Sequence, residues 1–267
     1  MLGSARIQSS PAKLGSPGGS DEVSPGIGPA VQLCLGKPAS LNSNYYDMLD
    51  WMMQDNFQGQ YMAGPGTSTP RYEYMDASQG VYYDMKNAAG FPWDVNYYDN
   101  TSDGYLYQWA TENVWGDPST YKAFDTTTTM PWVPRCVPVG AAGKKLATIK
   151  LAGAPYHIYD TACTMRQQPY DLGPVINEVW DNGNLTLGGN LPANLHTLAL
   201  SYRYSCSPDY SSCKYKEVFE YGKAYGLLRW TYYILTNGQY VQNNQTIHNL
   251  NNTLASGPIQ PVHPCWQ

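Results

Sequence analysis

Charged residues in the C-terminal half of the chain could form a catalytic or ligand-binding set. The set consists of Glu178, Arg203, Glu217, Glu220 and Arg229. Glycoside hydrolysis usually needs two carboxylates across a cleft, one as proton donor and one as base or nucleophile, so Glu178 could act with Glu217 or Glu220. A polysaccharide lyase instead needs a base, such as Tyr or His, beside arginines that hold an acidic sugar. Cross-strand ion pairs on a solvated sheet face explain the same residues, so the sequence leaves catalysis open.

A second set of candidates lies in and after the segment 90–104, for which an ordered loop is the structural interpretation. Its aromatic residues, with two tryptophans that follow, could stack on sugar rings: Trp93, Tyr97, Tyr98, Trp109 and Trp115. Its oxygen-bearing side chains could hydrogen-bond sugar hydroxyls or bind Ca²⁺, a hard cation that takes several oxygen ligands: Asp94, Asn96, Asp99 and Asp103. The spacing does not match an EF-hand. Calcium is therefore a candidate ligand, and no cofactor is required.

Other familiar chemistries lack their motifs in this sequence. The chain contains no HExxH, GxSxG, Walker loop or GxGxxG, which argues against zinc proteases, ordinary α/β-hydrolases and nucleotide-dependent enzymes. The histidines are His157, His196, His248 and His263, and no two of them are spaced as metal ligands. A metal site built on histidine is not expected.

The aromatic composition favours recognition of a polar ligand. The chain has 24 Tyr and 8 Trp but only 4 Phe, and 14% of its residues are charged. Tyr and Trp add a polar group to an apolar ring, so they suit half-wet recognition surfaces. The net charge is −5 and no Lys/Arg cluster occurs, which argues against nucleic acid. No apolar run approaches the roughly 18 residues of a membrane span. A glycan is the expected partner.

The cysteines predict disulfides rather than a zinc or redox site, because their number is even and none forms a CxxC pair. They are Cys34, Cys136, Cys163, Cys206, Cys213 and Cys265. The expected pairs are Cys206 with Cys213, Cys136 with Cys163, and Cys34 with Cys265. Buried, reduced cysteines in a cytosolic protein are the alternative.

Four sequons agree with an oxidising, extracellular setting. Their asparagines are predicted glycan acceptors on surface loops: Asn100, Asn184, Asn244 and Asn251. The first residues show no apolar signal-peptide core, so the location depends on the cysteines and the sequons. We expect a secreted or cell-surface protein.

The chain is expected to divide into a tail and one domain. Residues 1–33 are rich in Gly, Ser and Pro, which predicts a flexible tail or linker, and 34–267 should form a single disulfide-bonded domain. Apolar residues at helical spacing predict a helix over 44–57 that is capped by Asn44. A proline at the first helical position predicts a second helix over 117–124.

Alternating apolar and polar residues predict that most of the domain is β. The alternation is clearest within 196–205 and 226–235, and further strands are expected at 80–86, 146–151, 154–161, 173–180, 216–221 and 239–247. Asn237-Gly238 predicts a two-residue hairpin turn. Many strands with short turns favour a mainly all-β fold: an antiparallel β-sandwich of jelly-roll type with one or two short helices near the N-terminal part.

Three functions fit these features. The first is a secreted, glycan-interacting β-sandwich protein that binds or processes extracellular polysaccharide through its Tyr and Trp residues. The second is a polysaccharide hydrolase or lyase with a carboxylate pair on the sheet face. The third is an extracellular structural or filament-forming subunit, whose tail, residues 1–33, pairs with a sheet edge of a neighbouring copy. The Tyr and Trp enrichment favours the first function.

Overall fold

The computed structural model describes nearly all residues from 130 to 254 and shorter stretches before them. The described residues are 44–52, 60–63, 71–76, 81–88, 91–100, 104–108, 110–111, 120–124, 130–160, 162, 164–188, 191–223, 225–247 and 249–254. They are mainly β, in antiparallel sheets, as the alternating sequence pattern predicts. The predicted tail, residues 1–33, lies outside them.

The strands are numbered in chain order. They are β1 (Tyr45–Asp47), β2 (Gln60–Ala63), β3 (Arg71–Asp76), β4 (Val81–Ala88), β5 (Phe91–Asn100), β6 (Tyr105–Gln108), β7 (Ala110–Thr111), β8 (Thr120–Phe124), β9 (Met130–Pro134), β10 (Cys136–Pro138), β11 (Lys145–Leu151), β12 (Pro155–Asp160), β13 (Met165–Asp171), β14 (Val175–Leu185), β15 (Leu195–Cys206), β16 (Cys213–Gly222), β17 (Gly226–Thr236), β18 (Gln239–Ile247) and β19 (Asn249–Leu254). The described residues include one helix, α1 (Met48–Met52).

The described strands form four sheets. Two are large: a six-stranded sheet in the order β11-β14-β15-β16-β17-β18 and a seven-stranded sheet in the order β19-β2-β3-β4-β5-β6-β9. The others have the orders β13-β12-β8-β7 and β1-β10. In both large sheets most neighbouring strands are also consecutive in the chain, which is a meander. A jelly roll is built from Greek keys. The predicted jelly-roll sandwich is therefore not confirmed.

The hairpin turn between β17 and β18 is confirmed. Asn237 and Gly238 have φ values of 51° and 77°, and a type I′ turn needs a positive φ at both central residues. The two flanking strands pair directly across it, with Thr236 opposite Gln239. The turn therefore sets the register of the last strand of the six-stranded sheet.

Gly238→Val is expected to lower the free energy of unfolding by about 1–2 kcal/mol, because a Cβ disfavours the left-handed backbone conformation. Apart from Gly238 and its two chain neighbours, no described atom lies within 4 Å of the position that the Cβ would take, so backbone strain alone should cause the loss. Urea denaturation measures the effect. Gly238→Asn is the control, since Asn tolerates this conformation, and an equal loss in that variant would contradict the explanation.

The first helix begins later than the sequence predicts. The predicted cap, Asn44, is followed by β1, which pairs with β10, and α1 starts only at Met48. Asp47 caps the helix instead, because its Oδ1 accepts a hydrogen bond from the N–H of Leu49 at 3.1 Å. Arg135 forms an ion pair with the same carboxylate, while burial raises the pKa of Asp47. No helix in the described part of the chain is long and apolar enough to cross a membrane.

The second predicted helix is wrong. Thr120–Phe124 forms strand β8, which pairs with β12 and β7 in the four-stranded sheet. Residues 117–119 lie outside the described residues. Pro118 can start a helix, but the backbone groups of β8 find partners in β12, which is distant in sequence. Tertiary pairing therefore overrides the local helix signal.

The main core lies against one face of the six-stranded sheet. Its buried members come from α1, β6, β9, β10, β12 and the large sheet, and they include Met48, Trp51, Leu106, Trp132, Val137, Ile158, Val179, Leu198 and Leu200. Trp132 is 1% exposed and belongs to β9 of the seven-stranded sheet. The core therefore joins the edge of one large sheet to the face of the other.

One predicted disulfide is confirmed. Cys206 and Cys213 are bonded and close the connection between β15 and β16. Cys136 is also disulfide-bonded, but Cys34, Cys163 and Cys265 lie outside the described residues. The other two predicted pairings stay predictions.

Candidate functional site

The register of the six-stranded sheet sorts its side chains onto two faces. Residues directly opposite each other in antiparallel strands point to the same face, and successive residues alternate. One face, called the polar face below, carries seven charged residues: Lys145, Lys150, Glu178, Arg203, Lys216, Glu220 and Arg229. The opposite face packs on the core and is called the core face. Four members of the predicted charged set thus share the polar face, and Glu217 lies on the core face.

Glu178 is held between two cations of the polar face. Its Oε1 lies 3.1 Å from Lys145 Nζ and 2.9 Å from Arg203 Nη2. Glu178 is only 8% exposed. The carboxylate therefore positions the two cations and presents little surface to a substrate.

Glu220 is paired in the same way with a different cation. Its two oxygens accept hydrogen bonds from Nε and Nη2 of Arg229, and Oε1 also accepts one from Asn182 Nδ2 at 2.7 Å. A fork of this kind is among the strongest ion pairs in proteins. Because Glu220 is on β16 and Glu178 is on β14, strand β15 separates the two acids. Glu178 is bound to two cations and Glu220 to one, which does not match a proton donor facing a free base.

Lys216 lies between two aromatic rings in the middle of the polar face. Its Nζ is 4.2 Å from the ring centre of Tyr233 and 4.6 Å from that of Tyr240. Burial, followed by the nearby charge of Arg203, lowers the pKa of Lys216. Burial also raises the pKa of Tyr240, whose hydroxyl donates to the carbonyl oxygen of Cys213 at 2.9 Å. The polar face thus combines cations with the rings beside them.

The same combination recurs at the β11 edge of the polar face. Lys145 Nζ lies 5.8 Å from the ring centre of Trp180, and Lys150 Nζ lies 5.0 Å from that of Tyr210. Both lysines are exposed. With five cations and two carboxylates, the polar face has an excess of positive charge, although the whole chain has a net charge of −5.

Glu217 belongs to an aromatic cluster on the core face. Its Oε2 accepts a hydrogen bond from the indole Nε1 of Trp230 at 2.7 Å, and it is also hydrogen-bonded to Tyr204. The Trp230 and Tyr232 rings are nearly parallel, with centres 6.2 Å apart. Burial raises the pKa of Tyr204 and Tyr232. Because the sheet lies between them, Glu217 cannot face Glu178 across one cleft.

The segment that the sequence indicates as a loop is largely a strand. β5 pairs with β4 over its length, with Asp94 opposite Lys86 and Tyr97 opposite Tyr83. The side chains of this strand are outside the described part, as are Asp103, Trp109 and Trp115 altogether. The glycan platform and the calcium site therefore stay predictions. Among the side chains that are described, no three His, Cys, Asp or Glu residues cluster as metal ligands.

The predicted glycan acceptors lie on strands and not on loops. Asn184 is in β14 and Asn244 in β18, and both side chains are exposed. Asn100 is the last residue of β5, and Asn251 is in β19. Exposure at Asn184 and Asn244 leaves room for a glycan, whose presence stays a prediction.

A buried acid beside a histidine was missed by sequence reasoning. Asp181 is 2% exposed, and its Oδ1 lies 3.0 Å from His196 Nε2 while its Oδ2 accepts a hydrogen bond from the Tyr46 hydroxyl at 3.2 Å. The Trp51 ring contacts the imidazole edge-on, with centres 5.2 Å apart. A carboxylate that orients an imidazole is part of many catalytic sites. No described nucleophile is hydrogen-bonded to His196, so no reaction is assigned to this cluster.

The sequence held one signal for this cluster. His196 has the same strand parity as the core residues Leu198 and Leu200, so it had to find a polar partner near the core. The partner could not be named from sequence, because β14 carries a bulge between Asp181 and Gly183 that shifts its pairing with β15.

The comparisons with known proteins add no functional information. The chain has no significant match to a protein-family model, to a curated protein or to a solved structure.

Proposed function

We propose that this chain binds an anionic extracellular polysaccharide on the polar face of its six-stranded sheet. The observation that carries the proposal is the excess of cations on that face of an acidic chain, each set close to an aromatic ring or an ion-pair partner. Charge that is concentrated on one face of an otherwise acidic protein attracts anions to that face.

The pairing of cations with rings suits an acidic sugar better than a simple anion. A uronate or sulfated sugar offers a charged group to a lysine or arginine and an apolar C–H face to a ring. Lys216 with Tyr233 and Tyr240 provides both kinds of contact within one cluster. The disulfide between Cys206 and Cys213 supports an oxidising compartment, where such polymers occur.

Binding is favoured over cleavage by the state of the candidate catalytic groups. Glu178 and Glu220 are each engaged by cations, and Glu217 is on the other face. A lyase would need a base on the polar face. Tyr240 is hydrogen-bonded to Arg203 there, but burial raises the pKa of Tyr240, so less of the phenolate that would act as the base is present at neutral pH. A hydrolase or lyase stays the alternative. The structural subunit that uses residues 1–33 also stays an alternative, since that tail lies outside the described residues.

The experiment is affinity electrophoresis in native gels that contain matched pairs of polymers. Polygalacturonate is compared with its methyl ester, and dextran sulfate with dextran, so that the two members of a pair share a sugar backbone and differ in charge. We expect retardation by the charged member of at least one pair, and less retardation as salt rises, because salt screens exposed charges. Equal mobility in all gels would overturn the proposal. Loss of the polymer along the path of the protein through the gel would show that the protein cleaves the polymer, and cleavage would then replace binding as the proposed function.

Lys216→Gln and Lys150→Gln are each expected to weaken this binding about three- to tenfold, because each removes one charge-assisted contact. Lys223→Gln is the matched control. Lys223 is exposed, lies 3.9 Å from Asp50 of α1, and is in the turn after β16. If Lys216→Gln and Lys150→Gln bind the polymer as tightly as Lys223→Gln does, the polar face is not the binding surface. Arg203 and Arg229 are left intact, since each removal would take a cation away from a buried carboxylate.

A further inference from the structure

Strand β18 is an edge of the six-stranded sheet. Among the described strands its one neighbour is β17, so its outer row of backbone donors and acceptors has no partner within the described part of the chain. An open edge of this kind can pair with another strand, and proteins usually protect it. The presence or absence of such protection on β18 therefore indicates whether this edge pairs with another strand.

The two edges of this sheet differ in their protection. The other edge, β11, has exposed lysines at Lys145 and Lys150, and such charges oppose edge-to-edge pairing. The sequence of β18, in contrast, is QYVQNNQTI, which contains no charged residue and no proline. Its exposed residues include Val241, which is 52% exposed. Among the described strands, the β11 edge carries charges that oppose pairing, and the β18 edge carries none.

We propose that β18 pairs antiparallel with β18 of a second copy of this chain, about a two-fold axis at Val241. Pairing of a strand with itself requires that its side chains tolerate their own copies, and Gln and Asn amides both donate and accept hydrogen bonds. The axis at Val241 brings the two exposed valines together and sets Tyr240 opposite the partner's Gln242. Both contacts are free of like-charge repulsion.

The bulge in β18 sets the extent of this pairing. The register with β17 shifts between Gln242 and Asn244, so the stretch Gln239–Gln242 precedes the irregularity. A bulge bends the edge and increases its twist. Pairing centred on Val241 uses the straight stretch and ends where the strand bends.

The geometry of this pairing has a consequence for the polar face. A two-fold axis that relates antiparallel neighbours is perpendicular to the sheet, so both polar faces lie on the same side of a continuous sheet. This consequence rests on the proposed function: one polymer could contact both faces at once, which raises its apparent affinity. The pairing itself does not depend on any ligand.

The test is the molar mass in solution, measured by light scattering after size exclusion, on protein whose mass shows no glycan. This condition matters because the sequon at Asn244 lies on the same edge. We expect twice the chain mass of 29.7 kDa, falling towards one chain mass over about a hundredfold dilution. A single-chain mass at every concentration would overturn the proposal.

Variants at Val241 locate the axis. Val241→Lys and Val241→Glu should each give single-chain mass, because like charges then meet across the axis, while an equimolar mixture of the two should recover the double mass. Val139→Lys is the matched control, since Val139 is 43% exposed and follows β10. Circular dichroism checks that each variant folds. The proposed pairing would be overturned if Val241→Lys and Val241→Glu each kept twice the chain mass, or if their mixture kept the mass of one chain. Either result would place the contact elsewhere.

Discussion

Trp132→Ala is expected to lower the free energy of unfolding by about 3–5 kcal/mol, the usual range for removing a buried aromatic side chain. Trp132 is the largest fully buried side chain among the described residues. Its ring centre lies 4.9 Å from that of Tyr202 and 5.8 Å from that of Phe219. Because Trp132 belongs to β9, its loss would leave a cavity where the two large sheets meet. Urea denaturation followed by far-UV circular dichroism measures the loss.

Two further variants separate packing from other effects. Trp132 Nε1 is buried and has no hydrogen-bond partner among the described residues, so Trp132→Phe removes an unsatisfied donor and keeps most of the ring. It should lose much less stability than the alanine variant. Trp180→Ala changes a half-buried tryptophan on the polar face and should also lose less. Comparable losses in Trp132→Ala and Trp180→Ala would show that Trp132 does not join the sheets.

Glu220→Ala is expected to cost about 2–4 kcal/mol of stability, because it removes the acceptor of a partly buried guanidinium group. The side chain of Glu220 is 5% exposed and that of Arg229 is 28% exposed, so water can reach Arg229 only in part. Asn182 Nδ2 would lose its acceptor at the same time. The measurement is urea denaturation. Its midpoint should fall, while the slope of the free energy of unfolding against urea concentration should not change.

A double variant tests whether the pair or its disruption matters. Glu220→Leu with Arg229→Met replaces both charges by apolar groups of similar length, and it should be much nearer to the wild type than either single variant. Asp50→Ala is the control, since it breaks an exposed pair at 3.9 Å and should cost less than about 1 kcal/mol. If the double variant is as unstable as the sum of the singles, the loss comes from packing and not from an unpaired charge.

Much of the sheet could be predicted from local sequence. The strand at 239–247 is observed with the same bounds, the observed β11 begins one residue before the predicted 146–151, and the observed β12 is one residue shorter at each end than the predicted 154–161. A strand has a side-chain period of two, so the pattern of one segment is enough to reveal it. The turn at Asn237-Gly238 and the disulfide between Cys206 and Cys213 are also local, because each involves residues close in sequence.

The candidate site could be predicted only in part. Strand parity places Glu178 and Glu220 each on one side of its own strand, but the sequence does not say how β14, β15 and β16 align. A shift of one residue in register would move a whole strand's side chains to the other face. The grouping of Glu178 with Arg203, and its separation from Glu217, follow from the observed register.

The sequence by itself determined that this chain is mainly antiparallel β, with a defined hairpin and a local disulfide. Those features depend on interactions between near neighbours, which the order of residues specifies directly. The tertiary structure decided that Asp47 caps α1 through pairing with β10, that Asp181 meets His196 beside a bulge, and that the cations share one face. These features depend on which distant segments pair and in which register, and that choice is made by the burial of the whole core.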